Sequence, residues 1–213
     1  MRIIGGRWRG RALVAPKTMA VRPTSDRLRE TLFNVLMHAY EDPVRGARVL
    51  DLFAGTGALG LEALSRGAAY ALFVDDSTEG RGLVKANVDA LGAAGISKVF
   101  RRDATRLGSA HPNAPFSLAF CDPPYGKGLA GPALAAALAG GWLAPGALVV
   151  VEESVDADPR LPAALAVLER RDYGDTQVVF TQAPGREISG REDCREEEPR
   201  GDDSGEKGTG SVG

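Results

Sequence analysis

Asp122-Pro123-Pro124-Tyr125, which closes the apolar run that ends in Phe120-Cys121, is the motif with the most specific chemistry. An amino group on a nucleobase is a weak nucleophile, because its lone pair is delocalised into the ring. To attack a methyl group, that lone pair must be turned out of conjugation. Two acceptors that take the two N–H groups do this, and the Asp122 carboxylate and the Pro123 carbonyl are the candidates. Two prolines hold the backbone that presents them. The Tyr125 ring offers a face on which a base can stack. Asp122, Pro123, Pro124 and Tyr125 are therefore the candidate catalytic residues.

A second motif supplies a place for the methyl donor. Gly55, Gly57 and Gly60 satisfy G-x-G-x-x-G between a strand-like run and a helix-like run. That context lets backbone approach a ligand and aims a helix N-terminus at it. Alone, the motif also suits a dinucleotide. Asp51, four residues before Gly55 and at the strand end, would repel a pyrophosphate. It suits a cationic ligand such as S-adenosylmethionine, with its ammonium and sulfonium. Asp75 ends the next apolar run and can accept both hydroxyls of a ribose. Asp76 is the alternative at that position. Asp103 ends a third run and can accept from the amine of an adenine. Phe53 and Thr56 in the glycine loop, and Ala104 after Asp103, complete the expected cofactor set.

Other reactive residues carry less. Cys121 and Cys194 are the two cysteines, and no CxxC pair exists, so a disulfide framework and a metal site are both unsupported. Cys121 reads as a small core residue. His38 and His111 fall in no motif.

The elements that must hold these residues follow from periodicity. Strand-like runs cover 48–53, 69–75, 98–103, 117–122, 147–153 and 177–182. Helix-like stretches cover 58–65, 77–93, 131–139 and 160–168. Alternation of this kind predicts an α/β fold: a doubly wound, mostly parallel sheet covered on both faces. Ligands of such sheets bind beyond the carboxyl ends of the strands, where all four acidic positions lie. An earlier helix is expected over 26–40, with Thr24 or Ser25 as its N-cap and Leu28, Leu32, Val35, Leu36 and Ala39 facing inward.

At 213 residues, the length suits one domain with a small extension. The net charge of -2 counts against a nucleic-acid binder at face value. The charge is unevenly placed, however. Residues 1–30 hold eight basic against two acidic residues. Residues 185–213 hold five against nine, and 31–184 hold 13 against 17. The organisation expected is a basic hairpin or arm over 1–22, a catalytic domain over 23–183 and a disordered acidic tail over 184–213. Arg7, Trp8, Arg9, Arg11 and Arg22 are the candidate RNA-binding residues. The N-terminus lacks an apolar signal core and no run reaches membrane-spanning length, so a cytoplasmic location without a membrane partner is expected.

Taken together, the glycine motif, the acidic strand ends and Asp122-Pro-Pro-Tyr resemble class I (Rossmann-like) SAM-dependent amino-methyltransferases, whose sheet has seven strands. Met1-Arg-Ile-Ile-Gly-Gly, Arg9-Gly-Arg, Arg22-Pro-Thr-Ser-Asp-Arg and Leu50-Asp-Leu-Phe-Ala-Gly-Thr-Gly-Ala-Leu-Gly more closely resemble the RsmD family. The resemblance spans about residues 1–182. It implies a guanine-N2 methyltransferase of 16S rRNA, acting on the small ribosomal subunit or an assembly intermediate, and a monomer is expected. It places Asp51, Gly55 and Gly57 at the methionine end of the cofactor, Asp75 at its ribose and Asp103 at its adenine. Asp76-Ser77 departs from the basic-then-acidic pair expected there. Three other functions compete: a DNA adenine-N6 or cytosine-N4 methyltransferase, an NAD-dependent oxidoreductase, and a non-catalytic RNA-binding assembly factor.

Overall fold

The computed structural model describes residues 1–16 and 25–185. Arg22, and nearly all of the expected acidic tail, lie outside the described residues.

Helix α1 (Asp26–Ala39) begins where Ser25 Oγ accepts from the Leu28 amide, so Ser25 is the cap. Its Leu32, Phe33, Val35 and Leu36 are buried. The chain then alternates: β1 (Arg48–Leu52), α2 (Ala58–Ser65), β2 (Tyr70–Val74), α3 (Thr78–Leu91), β3 (Ser97–Phe100), β4 (Phe116–Cys121), α4 (Ala130–Ala139), β5 (Leu143–Ser154), β6 (Ala166–Tyr173) and β7 (Thr176–Gln182). The strands form one seven-stranded sheet in the order β3-β2-β1-β4-β5-β7-β6. Neighbours from β3 to β5 are parallel, whereas β7 runs antiparallel between β5 and β6. The order reverses between β1 and β4, and the sheet therefore opens a crevice beyond the ends of those two strands.

One expectation fails. Residues 160–168 form no helix: a turn closed by Leu165 N–H to the Pro162 carbonyl (2.9 Å) leads directly into β6. Pro162 removes a donor, and Ala166–Tyr173 gains a ladder with β7 that no isolated helix would offer.

Two apolar layers cover the sheet. On one face α1, α2 and α3 bring Phe33, Leu36, Leu61, Leu64, Val84 and Val88 against Val49, Phe73 and Phe120. On the other, α4 and Trp142 pack on Leu50, Leu72, Phe116 and Val149. Among the described residues no helix is long and apolar enough to cross a membrane.

The N-terminal segment is a fastened hairpin-like loop rather than a free arm. Ile3 N–H donates to the Arg11 carbonyl (2.9 Å) and Gly10 N–H to the Ile3 carbonyl (2.8 Å), with Arg2 bridging Ala12. The loop lies along α2. The amides of Ile4 and Gly5 each donate to the Glu62 carboxylate at 2.8 Å. Ser65 Oγ donates to the Gly5 carbonyl (2.5 Å) and accepts from Trp8 N–H (3.0 Å). Ile3 is completely buried. Gly6 must be glycine: its φ is +75°, and a Cβ there would sit 1.9 Å from the Ser65 carbonyl oxygen. Glu62 also accepts from Arg66 Nε (2.8 Å) and lies 3.8 Å from Arg29 Nε. Glu62 and Arg29 are both buried.

Replacing Glu62 by Ala removes the counter-charge of a buried guanidinium and the acceptor of two amides. We expect Glu62→Ala to lower stability by about 3–5 kcal/mol in urea denaturation, with the amides of Ile4 and Gly5 losing protection from hydrogen exchange.

Candidate active site

A cavity of about 980 Å³ fills the crevice at the strand ends. Asp51 and Phe53 reach it from the end of β1, Asp75 from β2, and Asp122, Pro123, Pro124 and Tyr125 from β4. Gly55 and Thr56 of the glycine loop, with Asp103 and Ala104 beyond β3, complete the expected lining. Gly57 does not line it. Its φ of +76° makes it the left-handed N-cap of α2, behind the cavity wall.

Each carboxylate is placed by a local device. Asp51 Oδ2 accepts from Gly60 N–H at 2.9 Å, in the first turn of α2. A Cβ on Gly60 would lie 2.4 Å from the Phe73 ring and 3.0 Å from that same oxygen, so the helix can approach β1 and β2 this closely only with glycine there. Asp51 is 2% exposed, and burial pushes its carboxyl up to about 8, against the Gly60 hydrogen bond that lowers it. Asp75 is a bridge: Oδ2 accepts from Gly55 N–H (2.9 Å), while Oδ1 accepts from Ser77 N–H (2.9 Å) and Ser77 Oγ (2.6 Å). It thereby ties the glycine loop to the start of α3. Asp76 lines the same cavity. Asp103 is exposed and accepts from Thr105 N–H (2.8 Å) and Oγ1 (2.7 Å), which hold its carboxyl below the usual range. Phe53, a non-glycine residue at φ 60°, turns the chain sharply as it leaves β1.

The Asp122-Pro-Pro-Tyr loop is anchored from behind. Tyr125 O–H donates to Glu152 Oε1 at 2.6 Å, and its oxygen lies 3.0 Å from Thr176 Oγ1. Gly126 N–H donates to Glu153 Oε1 at 3.1 Å. Burial and the Glu152 carboxylate push the Tyr125 phenol well up, so it stays a donor. Sequence reasoning missed Glu152 and Glu153, although they too end an apolar run. It also missed Arg102 and Lys127, which line the cavity. Cys121 is buried and its thiol is pushed far up by desolvation, which excludes an activated nucleophile. Neither His38 nor His111 lines the cavity.

The expected RNA-binding residues are elsewhere. Arg7, Trp8, Arg9 and Arg11 do not line the cavity. Their turn docks on Ser65, at the far end of α2 from Gly57, roughly 12 Å along the helix axis. Arg7 covers one face of Trp8 at 4.0 Å, and Trp8 packs partly against the core. Arg11 is a strap, donating to the Ala90 carbonyl at 2.8 Å. Arg7 and Arg9 are exposed.

Comparison with known proteins now adds to this geometry. A family model described as conserved hypothetical protein 95 matches residues 1–182. Ribosomal RNA small subunit methyltransferase D of Escherichia coli K12 is 40% identical over 196 residues, covering 91% of this chain and 94% of the relative. The chain belongs to the RsmD family. The RsmD match takes in the docked hairpin as well as every cavity-lining residue. A putative methyltransferase from Escherichia coli shares the fold at a TM-score of 0.73 and 37% identity, over 87% of this chain and 99% of its own. A putative methylase from Haemophilus influenzae does so at 0.69 and 32%, over 86% and 98%. A Salinibacter ruber RNA methyltransferase in complex with S-adenosyl-L-homocysteine, 16% identical, has the same class I fold at a TM-score of 0.59.

Two outcomes follow for the RsmD-family site. The raised Asp51 carboxyl means the folded chain holds a proton that the unfolded chain releases. Its contribution is therefore full below about pH 4 and is lost as pH rises through about 8. Asp51→Asn keeps an acceptor for Gly60 and should flatten that part of the stability–pH curve, measured by urea denaturation. Tyr125→Phe keeps the ring but frees the loop from Glu152, and should lower the turnover number about tenfold in steady-state assays.

Proposed function

We propose that this chain transfers the methyl group of S-adenosyl-L-methionine to the exocyclic N2 amine of a guanine in 16S rRNA. The carrying observation is that Asp122-Pro-Pro-Tyr opens onto the same cavity as the glycine loop and the acidic strand ends. The name of the Escherichia coli relative supports an RNA substrate.

The residues present fit the cofactor. The cavity has room for a nucleoside-sized ligand, and backbone and carboxylates of the glycine loop and strand ends line it. Asp51 would hold the methionine end, where a cationic ligand would favour its carboxylate form. Asp75 and Asp103 retain acceptor capacity for a ribose and an adenine amine. When bound, the cofactor supplies an electrophilic methyl. The chain supplies orientation: Asp122 carboxylate and Pro123 carbonyl take the two N–H groups of the target amine, so that its lone pair leaves conjugation. Tyr125, fixed by Glu152, presents its ring to the base. The guanine must be exposed or splayed from its stack to reach them. Arg7 and Arg9 contact RNA backbone away from the reacting base. In this reading the enzyme works as a monomer in the cytoplasm, on the small ribosomal subunit or an assembly intermediate.

Labelled S-adenosylmethionine with 16S rRNA, and with small subunits from cells lacking the enzyme, tests the reading. A methyl on guanine N2 is expected. A methyl on an adenine, or none on either substrate, overturns it. Asp122→Ala should cut transfer on the order of a thousandfold while leaving cofactor affinity within a few-fold. Because Ile3 is buried, the hairpin is best tested by charge reversal. Arg7→Glu with Arg9→Glu should reduce the salt dependence of RNA binding by about two phosphate contacts.

A further inference from the structure

Asn87 lies on α3, is completely buried and does not line the cavity. Its amide is fully used. Oδ1 accepts from Val14 N–H at 2.7 Å, and Nδ2 donates to the Val14 carbonyl at 3.1 Å. The amide thus pairs with both backbone groups of Val14, as a neighbouring strand would. The second N–H of Nδ2 reaches the Thr56 carbonyl at 3.0 Å. Thr56 is the middle residue of the Gly55–Thr56–Gly57 turn on the cavity wall. The other end of the hairpin arrives at the same residue: Thr56 Oγ1 contacts Met1 Sδ at 3.5 Å. From the cavity side, the turn is held by the Gly55 amide on Asp75.

Thr56 therefore sits between two restraints. One is a carboxylate that faces the ligand space. The other is an asparagine whose remaining bonds all go to the N-terminal hairpin. A glycine-flanked turn has little stiffness of its own. Its bound geometry depends on such partners, and a turn held in that geometry before binding loses less freedom when a ligand arrives.

We propose that Asn87 is a positioning residue of the cofactor site, and that through it the hairpin over residues 1–14 forms part of that site. This rests on the reading of the cavity as the S-adenosylmethionine site. The hairpin then has a role besides contacting RNA: it sets the turn against which the cofactor lies. Asn87 touches neither substrate nor cofactor.

The test is calorimetric titration of the full-length protein with S-adenosyl-L-homocysteine, without RNA. Wild type is measured first; absence of binding there would overturn the cofactor reading and this inference with it. Asn87→Ala should weaken binding about tenfold. In methyl-transfer assays its KM for the cofactor should rise by a similar factor, with kcat at saturation changed less than about twofold. A loss of packing alone would not produce that split. Should Asn87→Ala fail to fold, Val14→Pro serves. Val14 is 49% exposed, and proline deletes only the N–H that Asn87 accepts, leaving the Glu62 anchors in place. Val14→Pro should weaken binding about threefold. Wild-type affinity in a folded Asn87→Ala, or in Val14→Pro, would overturn the inference.

Discussion

The carboxylate of Glu62 is completely buried and has four partners. Two are hairpin amides, one is the Arg66 guanidinium and one is the buried Arg29. A charge taken out of water is tolerated only with such full compensation. Because the partners come from the hairpin, α1 and α2, the group fixes three segments against one another at once. Arg29 extends the join by donating to the Arg2 carbonyl (2.6 Å) and to Asp26 (2.8 Å). Remove that arrangement and the hairpin loses its charged anchor, leaving it the hydrogen bonds to Ser65, Asn87 and the Ala90 carbonyl and the burial of Ile3 and Leu13.

The helix that carries Glu62 begins at the glycine loop. Its N-terminal end is set by Asp51 on Gly60 and by the contact of Gly60 with Phe73, while its C-terminal end receives the basic turn on Ser65. Hairpin, helix and cavity wall are thus one mechanical piece. The residues proposed to meet RNA and those proposed to meet the cofactor are separated along that piece rather than mixed in one patch.

Much of this was readable in the chain. The acidic positions stand out because each ends an apolar run, and parallel sheets put such ends on one rim. All but Gly57 of the residues expected to line the cavity do so. The residues that were not readable act through partners distant in sequence. Asn87 pairs with residues 73 and 31 positions away, and Glu62 with residues nearly 60 away, and neither belongs to a local pattern. The misread segment was 160–168. Its continuation, Ala166–Tyr173, is an edge strand with every residue at least partly exposed, and the apolar run that leads into it, 163–168, consists mostly of the helix formers Ala and Leu before the chain turns charged. The signal was the two-residue link Gly174-Asp175 to β7, which is hairpin chemistry.

That same edge strand determines where the sheet stops. β6 leaves one side of its backbone ladder unpaired, which is an invitation to a strand from another molecule. It carries Glu169, Arg170, Arg171 and Asp172 in succession, with Glu169 paired to Arg171 at 2.8 Å, and its register shifts between Val167 and Glu169. Charges and an irregular ladder make a poor template for an incoming apolar strand. Although Val167 and Leu168 are exposed at its start, the four charged residues that follow and the break in register thus guard the sheet against growth into filaments.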